Sequence, residues 1–162
     1  NTSEVVHMHS FLGIESDYAY LHRQIPQEMV KWGAQLIGAD AGFGEAVNAE
    51  IRRRIPNGNR LIALQHLGNQ KQRANWNANM NAYTLGRNRV MTDLFQKIKR
   101  KEIIFPRWED FEPFARDMLA IAIDYDEEKN KYKFVNSNPD DSFHSILYGD
   151  LVAELWHLTQ GE

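Results

Sequence analysis

The sequence predicts an α/β domain in which helices cover a sheet, and three observations carry that prediction. Short apolar runs alternate with helical patterns: "AQLIGAD" is followed by "GEAVNAEIRRRI" and then by "RLIALQHL", the β–α–β order of a helix-covered sheet. A chain of 162 residues, 43% of them hydrophobic, has the length for one domain with a substantial core. It contains no cysteine, which excludes a disulfide scaffold and thiolate metal sites. No apolar run approaches the roughly 18 residues of a membrane span.

Residues 4–12, "EVVHMHSFL", read as a strand. "GIES" turns the chain, and Ser16 or Asp17 caps a helix running to about Gly33, with Pro26 expected to kink or divide it. "AQLIGAD" is a short buried strand ending at Asp40, and "GEAVNAEIRRRI" is a helix stopped by "PNGN". "RLIALQHL" is the next strand. The Asn-, Gln- and Gly-rich "GNQKQRANWNANMNAYTLG" has little apolar periodicity and reads as a long loop, with Trp76 assigned to the core. "NRVMTDLFQKIKRKEI" is an amphipathic helix, and "IIFP" a short connection. "RWEDFEPFARDMLAIAIDYD" is a helix broken near Pro113 that ends as a strand, and "KYKFVN" is an edge strand. "SFHSILYGDLVAELWHL" closes the chain as a helix with Phe143, Ile146, Leu147, Leu151 and Leu155 as its buried stripe. Asp141, His144 and Tyr148 fall on a different face. Nothing in the sequence marks an internal repeat or a second domain.

The net charge of −3 conceals an asymmetry. Residues 1–50 carry two basic and seven acidic side chains, residues 51–101 twelve and one, and residues 102–162 five and fourteen. A cationic middle between anionic flanks suits a polyanionic partner, with the flanks supplying carboxylates. Arg73, Arg87, Arg89, Lys97, Lys99 and Arg100 are the candidate phosphate contacts. Arg52, Arg53 and Arg54 read as a solvated helix end.

Among the carboxylates, Asp40 stands at a strand end before glycines, while Asp140 and Asp141 open the last helix. Each has an ordinary use as a turn or cap residue. Converging at a sheet edge, they would hold hard divalent cations, which prefer oxygen ligands. Two such ions about 4 Å apart activate water and stabilise the leaving oxygen of a phosphodiester. His144 is a candidate ligand or tuning group. His7 and His9 share a strand face but lack an evident third ligand. "GFGE" lacks the spacing and the Lys-Ser/Thr of a phosphate loop.

Together, "AQLIGADAGFGEAVNAEI", "NRVMTDLFQKIKRKEIIFP" and "NPDDSFHSILYGDLVAEL" resemble the C-terminal nuclease domain of the large terminase subunit of tailed bacteriophages. Their order and spacing over most of the chain carry the likeness. The resemblance implies a ribonuclease-H-like α/β fold with a mixed central sheet, and metal-dependent cutting of double-stranded DNA during genome packaging. It implies Mg²⁺ or Mn²⁺, two ions in a complete site, held by Asp40, Asp141, Asp140 and His144. Asp141 is favoured over Asp140, because His144 follows it by three residues.

The implied partners are double-stranded DNA, the terminase ATPase region, the portal and the small terminase subunit, in the cytoplasm of a bacterial host and without a membrane. The family's first acidic residue lies on a strand upstream of "NTSEVVHMHSF". That strand is expected to be missing here, leaving an incomplete site, and the ATPase half with its Walker motif is absent as well. The alternatives are a resolvase or transposase core of the same fold, and a non-catalytic module that grips DNA or the portal.

Overall fold

Period-two alternation sets the architecture. In Ile37–Asp40 (β2) and Leu61–Leu67 (β3) successive side chains point to opposite sides of the sheet, so Ile37, Ala39, Leu61 and Ala63 share one face. Gly38, Asp40, Ile62, Leu64 and His66 share the other. The computed structural model of the chain describes residues 2–42, 44–67, 72–128 and 130–160. It contains an α/β arrangement with a mixed sheet flanked by helices, and the chain divides into two compact units.

One unit comprises His9–Leu67, Ala74–Leu85 and Tyr148–Glu162. Its sheet has the order β2-β3-β5-β4, where Ala74–Asn77 is β4 and Ala82–Gly86 is β5; β2 and β3 are parallel and β4 and β5 antiparallel. On the Ile37/Leu61 face lie Tyr18–Lys31 (α1) and Glu45–Arg54 (α2). Met29, Ile51, Ile55 and Leu61 form a buried cluster there, with Ile25, Ala34, Ile37, Ala39 and Val47 against it.

Asp17 caps α1 by accepting from the Ala19 amide at 2.7 Å. The helix runs unbroken through Pro26, so the expected division there does not occur. It ends where Gly33 takes φ +62° and the Ala34 amide reaches back to the Met29 carbonyl at 2.9 Å, a Schellman ending. Arg60 then fastens the entry to β2, donating to the carbonyls of Ala34 and Gln35.

The opposite face of β2 is covered by Asp141–Gln160 (α5), whose residues from Tyr148 onward belong to this unit. A Cβ on Gly38 would stand 2.9 Å from the Tyr148 carbonyl oxygen and 3.1 Å from Val152 Cγ1. The missing side chain is what lets helix and strand approach so closely. Tyr148 is itself buried and stacks on His66 with ring centroids 5.7 Å apart, so the sequence expectation that grouped it away from the buried stripe is corrected. Three- and four-residue spacing puts Tyr148 with Asp141 and His144, but α5 buries more than one stripe here because it packs directly on β2.

The long loop expected between β3 and the following helix is also corrected. Residues 74–86 form the β4–β5 hairpin, in which Asn77 Oδ1 accepts from the Asn79 amide and Asn81 takes φ 47°. Asparagine supplies both a side-chain acceptor and tolerance of the left-handed region, so it builds this turn. Trp76 is 53% exposed against Tyr83 rather than in the core. Residues 68–71 of that stretch lie outside the described residues.

The second unit comprises Asn1–Met8, Gly68–Arg73 and Gly86–Leu147. Arg87–Lys99 (α3) buries Val90, Met91 and Leu94, and its Phe95 lies 5.8 Å from Phe134 and 5.1 Å from Phe143. Phe134 comes from Lys131–Asn136 (β8), paired antiparallel with Ile121–Asp126 (β7), and Phe143 from the first turn of α5. Trp108–Leu119 (α4) contains Pro113 without a break. The strand expected over residues 4–12 is reduced to Ser3–Glu4 (β1), paired in parallel with Ile103–Ile104 (β6). His9 instead lies 3.1 Å from Glu15, so no shared strand face holds His7 and His9. Lys101 ends α3 at φ 59°, with the Glu102 amide bonded to the Lys97 carbonyl at 2.9 Å.

Replacing Gly38 by Ala is expected to destabilise the fold by about 1–3 kcal/mol, the usual cost of overpacking a tight core contact, because a backbone carbonyl has to move. Urea denaturation of the two proteins checks this.

Candidate functional site

Asp40 is the last residue of β2, and its side chain is exposed where the chain leaves the sheet. The Ala41 amide bonds the Leu64 carbonyl at 2.8 Å, holding the end of β2 against β3. Asn48 fixes the peptide group of Asp40 itself. It is 5% exposed on α2, and its Nδ2 donates to the Asp40 carbonyl at 2.7 Å, while its own amide donates to the Gly44 carbonyl at 2.7 Å. One residue thus ties the first turn of α2 to the strand end.

The glycines complete the arrangement. A Cβ on Gly44 would stand 2.7 Å from the Asp40 carbonyl oxygen, and one on Gly42 would stand 3.2 Å from Asp40 Oδ2. Gly44 permits the turn, and the place that a side chain on Gly42 would take is occupied by the carboxylate of Asp40. The carbonyl of Asp40 carries the bond to Asn48, and its exposed carboxylate lies over Gly42.

At the start of α5, capping is done from elsewhere. Ser142 is buried, and both its amide and its hydroxyl donate to Asp117 Oδ2 of α4, at 3.1 and 2.6 Å. Asp140 occupies the N-cap position by its backbone, since its carbonyl accepts from the His144 amide at 3.1 Å. Its carboxylate bonds His144 Nε2 at 3.1 Å, and both side chains are largely buried. Asp141, the first residue of the helix, is exposed. Asp140 and His144 therefore form one pair, and Asp141 presents the outward carboxylate of this turn.

Within neither unit do three His, Asp or Glu side chains stand together as a preformed cage, among the described residues. The donors on hand are hard oxygens. Mg²⁺ uses such donors sparingly, keeping several waters and taking one or two carboxylates plus substrate phosphates.

The cationic candidates divide by their surroundings. Arg73 is paired with Asp93 at 3.1 Å. Arg100 grips Glu102 through two bonds of 2.7 and 2.9 Å, and that hydrogen bonding holds the Glu102 carboxyl below the usual carboxylate range. Arg87 and Lys97 are half-buried on α3, whereas Arg89 and Lys99 are exposed on it. Arg53 and Arg54 are exposed at the end of α2 and both pair with Glu50, and Arg52 reaches the Leu61 carbonyl.

Sequence reasoning missed Asn48 and Asp117. Asn48 lies three residues before buried Ile51, so a polar side chain on the apolar side of α2 was the available signal. Asp117 and Ser142 are 25 residues apart in sequence, and no local pattern announces their bond.

Asn48→Leu removes the donor to Asp40 at similar volume, and is expected to cost about 1–3 kcal/mol, the range for leaving a buried acceptor unsatisfied. Thermal or urea unfolding measures it. Comparison of the chain with protein-family models, curated proteins and solved structures gives no match in any of the three.

Proposed function

We propose that this chain is a ribonuclease-H-like nuclease domain that hydrolyses phosphodiester bonds of double-stranded DNA with divalent metal, as in viral genome packaging by terminases. The observation that carries the reading is the presentation of Asp40: an exposed carboxylate at a strand end, lying over Gly42, while Asn48 holds the carbonyl of the same residue. The exposed Asp141, relieved of capping by Asp117, supports it.

In this reading Asp40 and Asp141 are direct ligands for Mg²⁺ or Mn²⁺. Asp140 acts directly or through water, with His144 orienting it. When bound, the ions activate a water and stabilise the leaving oxygen. Arg89 and Lys99 hold backbone phosphates, giving affinity without sequence preference. Arg87 and Lys97, together with Arg73 and Arg100, which pair with Asp93 and Glu102, are the further phosphate contacts of this reading. Terminase partners, namely the ATPase region, portal and small subunit, remain part of the proposal on the strength of the sequence resemblance.

Calorimetric titration with Mn²⁺ tests the ligand assignment. Asp40→Asn and Asp141→Asn are each expected to weaken binding at least tenfold, and parental affinity in both variants would sink it. Plasmid nicking in Mn²⁺ should follow the same order. For duplex binding, Arg89→Ala and Lys99→Ala are each expected to lower the slope of log affinity against log salt by about 0.9, the value for one lost phosphate contact. Fluorescence anisotropy across a salt series reads that slope.

A further inference from the structure

The two parallel strands begin beside a cavity that the nuclease reading does not use. Ala34 and Gln35 lead into β2 and Arg60 leads into β3, so this end of the sheet lies opposite the one where Asp40 emerges. A cavity of about 340 Å³ stands there. Pro26, Met29 and Val30 of α1 and Pro56, just past α2, give it apolar walls, while Arg54 and Arg60 line it with charge. Ligand cavities have this make-up, an apolar lining with a few placed polar groups.

Arg60 is fixed in that lining. Its Nε donates to the Gln35 carbonyl at 2.6 Å, and its Nη2 donates to the Ala34 carbonyl and to Gln35 Oε1. The residue is half-buried. Its partners are neutral, and among the described residues no carboxylate answers its charge. The Nη1 edge of the guanidinium is left over, and an arginine fork matches the geometry of a carboxylate. Arg54 differs, since it pairs with Glu50 at 2.9 Å near the surface. Exposed ion pairs are weak, so Arg54 turns to a ligand carboxylate at little cost.

Charge and apolar surface both extend past the cavity. The last turns of α1 and α2 carry Lys31, Arg52, Arg53 and Arg54, with Glu28 and Glu50 as their paired acids. Val30 is 75% exposed, and Trp32 one turn end beyond it is exposed as well. An occupant that covers this surface is longer than a small anion, and it brings carboxylates and an apolar anchor together. Aromatic residues and arginine are also the side chains enriched where proteins meet.

We propose that this cavity docks an acidic peptide segment of a partner protein, with one apolar side chain held among Pro26, Val30 and Pro56 and adjoining carboxylates on Arg60 and Arg54. The surface uses no residue assigned to metal or to DNA phosphate, so it stands or falls apart from the nuclease reading.

The probe is a rhodamine-labelled peptide, Glu-Leu-Asp-Leu-Glu-Asp, followed by fluorescence anisotropy on the full chain. One control peptide replaces both leucines by serine, and another replaces every acid by lysine. The acidic peptide is expected to bind with micromolar affinity that weakens as NaCl is raised. Each control peptide should bind at least tenfold more weakly. Arg54→Glu and Val30→Glu, both at exposed positions, should each weaken the acidic peptide at least tenfold and leave duplex DNA binding within twofold of the parent. Arg60→Gln should weaken the peptide as well. If that variant unfolds, as thermal unfolding by circular dichroism would show, the two exposed variants decide the question.

Parental peptide affinity in either exposed variant would overturn the proposal. So would equal binding of a control peptide, or no binding at millimolar protein. Hexanoate that binds as tightly as the peptide would make this a small-anion cavity instead. A duplex that displaces the peptide and is itself weakened by Arg54→Glu would assign the surface to DNA.

Discussion

The close approach of Gly38 to the carbonyl of Tyr148 is the constraint on which the sheet unit depends. Because no side chain intervenes, α5 settles directly on β2, and everything on that face of the strand takes its position from the contact. Leu64 is wholly buried, Tyr148 is brought over His66, and Asp40, two residues past Gly38, emerges at the margin of the packed surface. The opposite face is an ordinary apolar layer of Met29, Ile51, Ile55 and Leu61. Hydrophobic burial there supplies stability, while the face toward α5 supplies placement.

Much of this was legible in the sequence because it was written in local patterns. The strand ending at Asp40, the helix after it, the β3 strand and the final helix follow from period-two and period-3.6 apolar spacing, with Asp17 and Gly33 marking the ends of α1. The β4–β5 hairpin was not legible. Its strands carry Asn75 and Asn77, poor strand formers, and they owe their conformation to pairing with each other and with β3. Residues 4–12 erred in the other direction. Val5, Val6 and Phe11 give the stretch a strand composition, yet the pairing with β6 covers Ser3 and Glu4 and reaches no further than the Val5 amide, which donates to the Ile104 carbonyl at 2.9 Å, among the described residues.

The candidate site shows the same division. Asp40, Asp140, Asp141 and His144 were readable as residue types at telling positions. Which carboxylate does structural work was not readable, because the answer lies in bonds between segments distant in sequence. Asp117 takes over the capping of α5, and Asn48 takes over the turn at Asp40. Both acids are thereby released from the duties that would make them commonplace. The cationic segment was oversimplified for a similar reason: composition counts Arg73 and Arg100 as available charges, whereas Asp93 and Glu102 already engage them.

The order in which the chain visits the two units carries a consequence for anyone who would dissect the molecule. The sheet unit draws its β2 and β3 from the first part of the chain, its β4–β5 hairpin from the middle, and the cover over Gly38 from the last helix. No continuous stretch of sequence contains it. Cutting the chain after β3 would strip the sheet of a neighbouring strand and its helical lid at once. The cover over Gly38 therefore forms late, after the carboxyl-terminal helix has been made, whereas the bonds from Asn48 and Leu64 that hold the turn at Asp40 come from the first part of the chain.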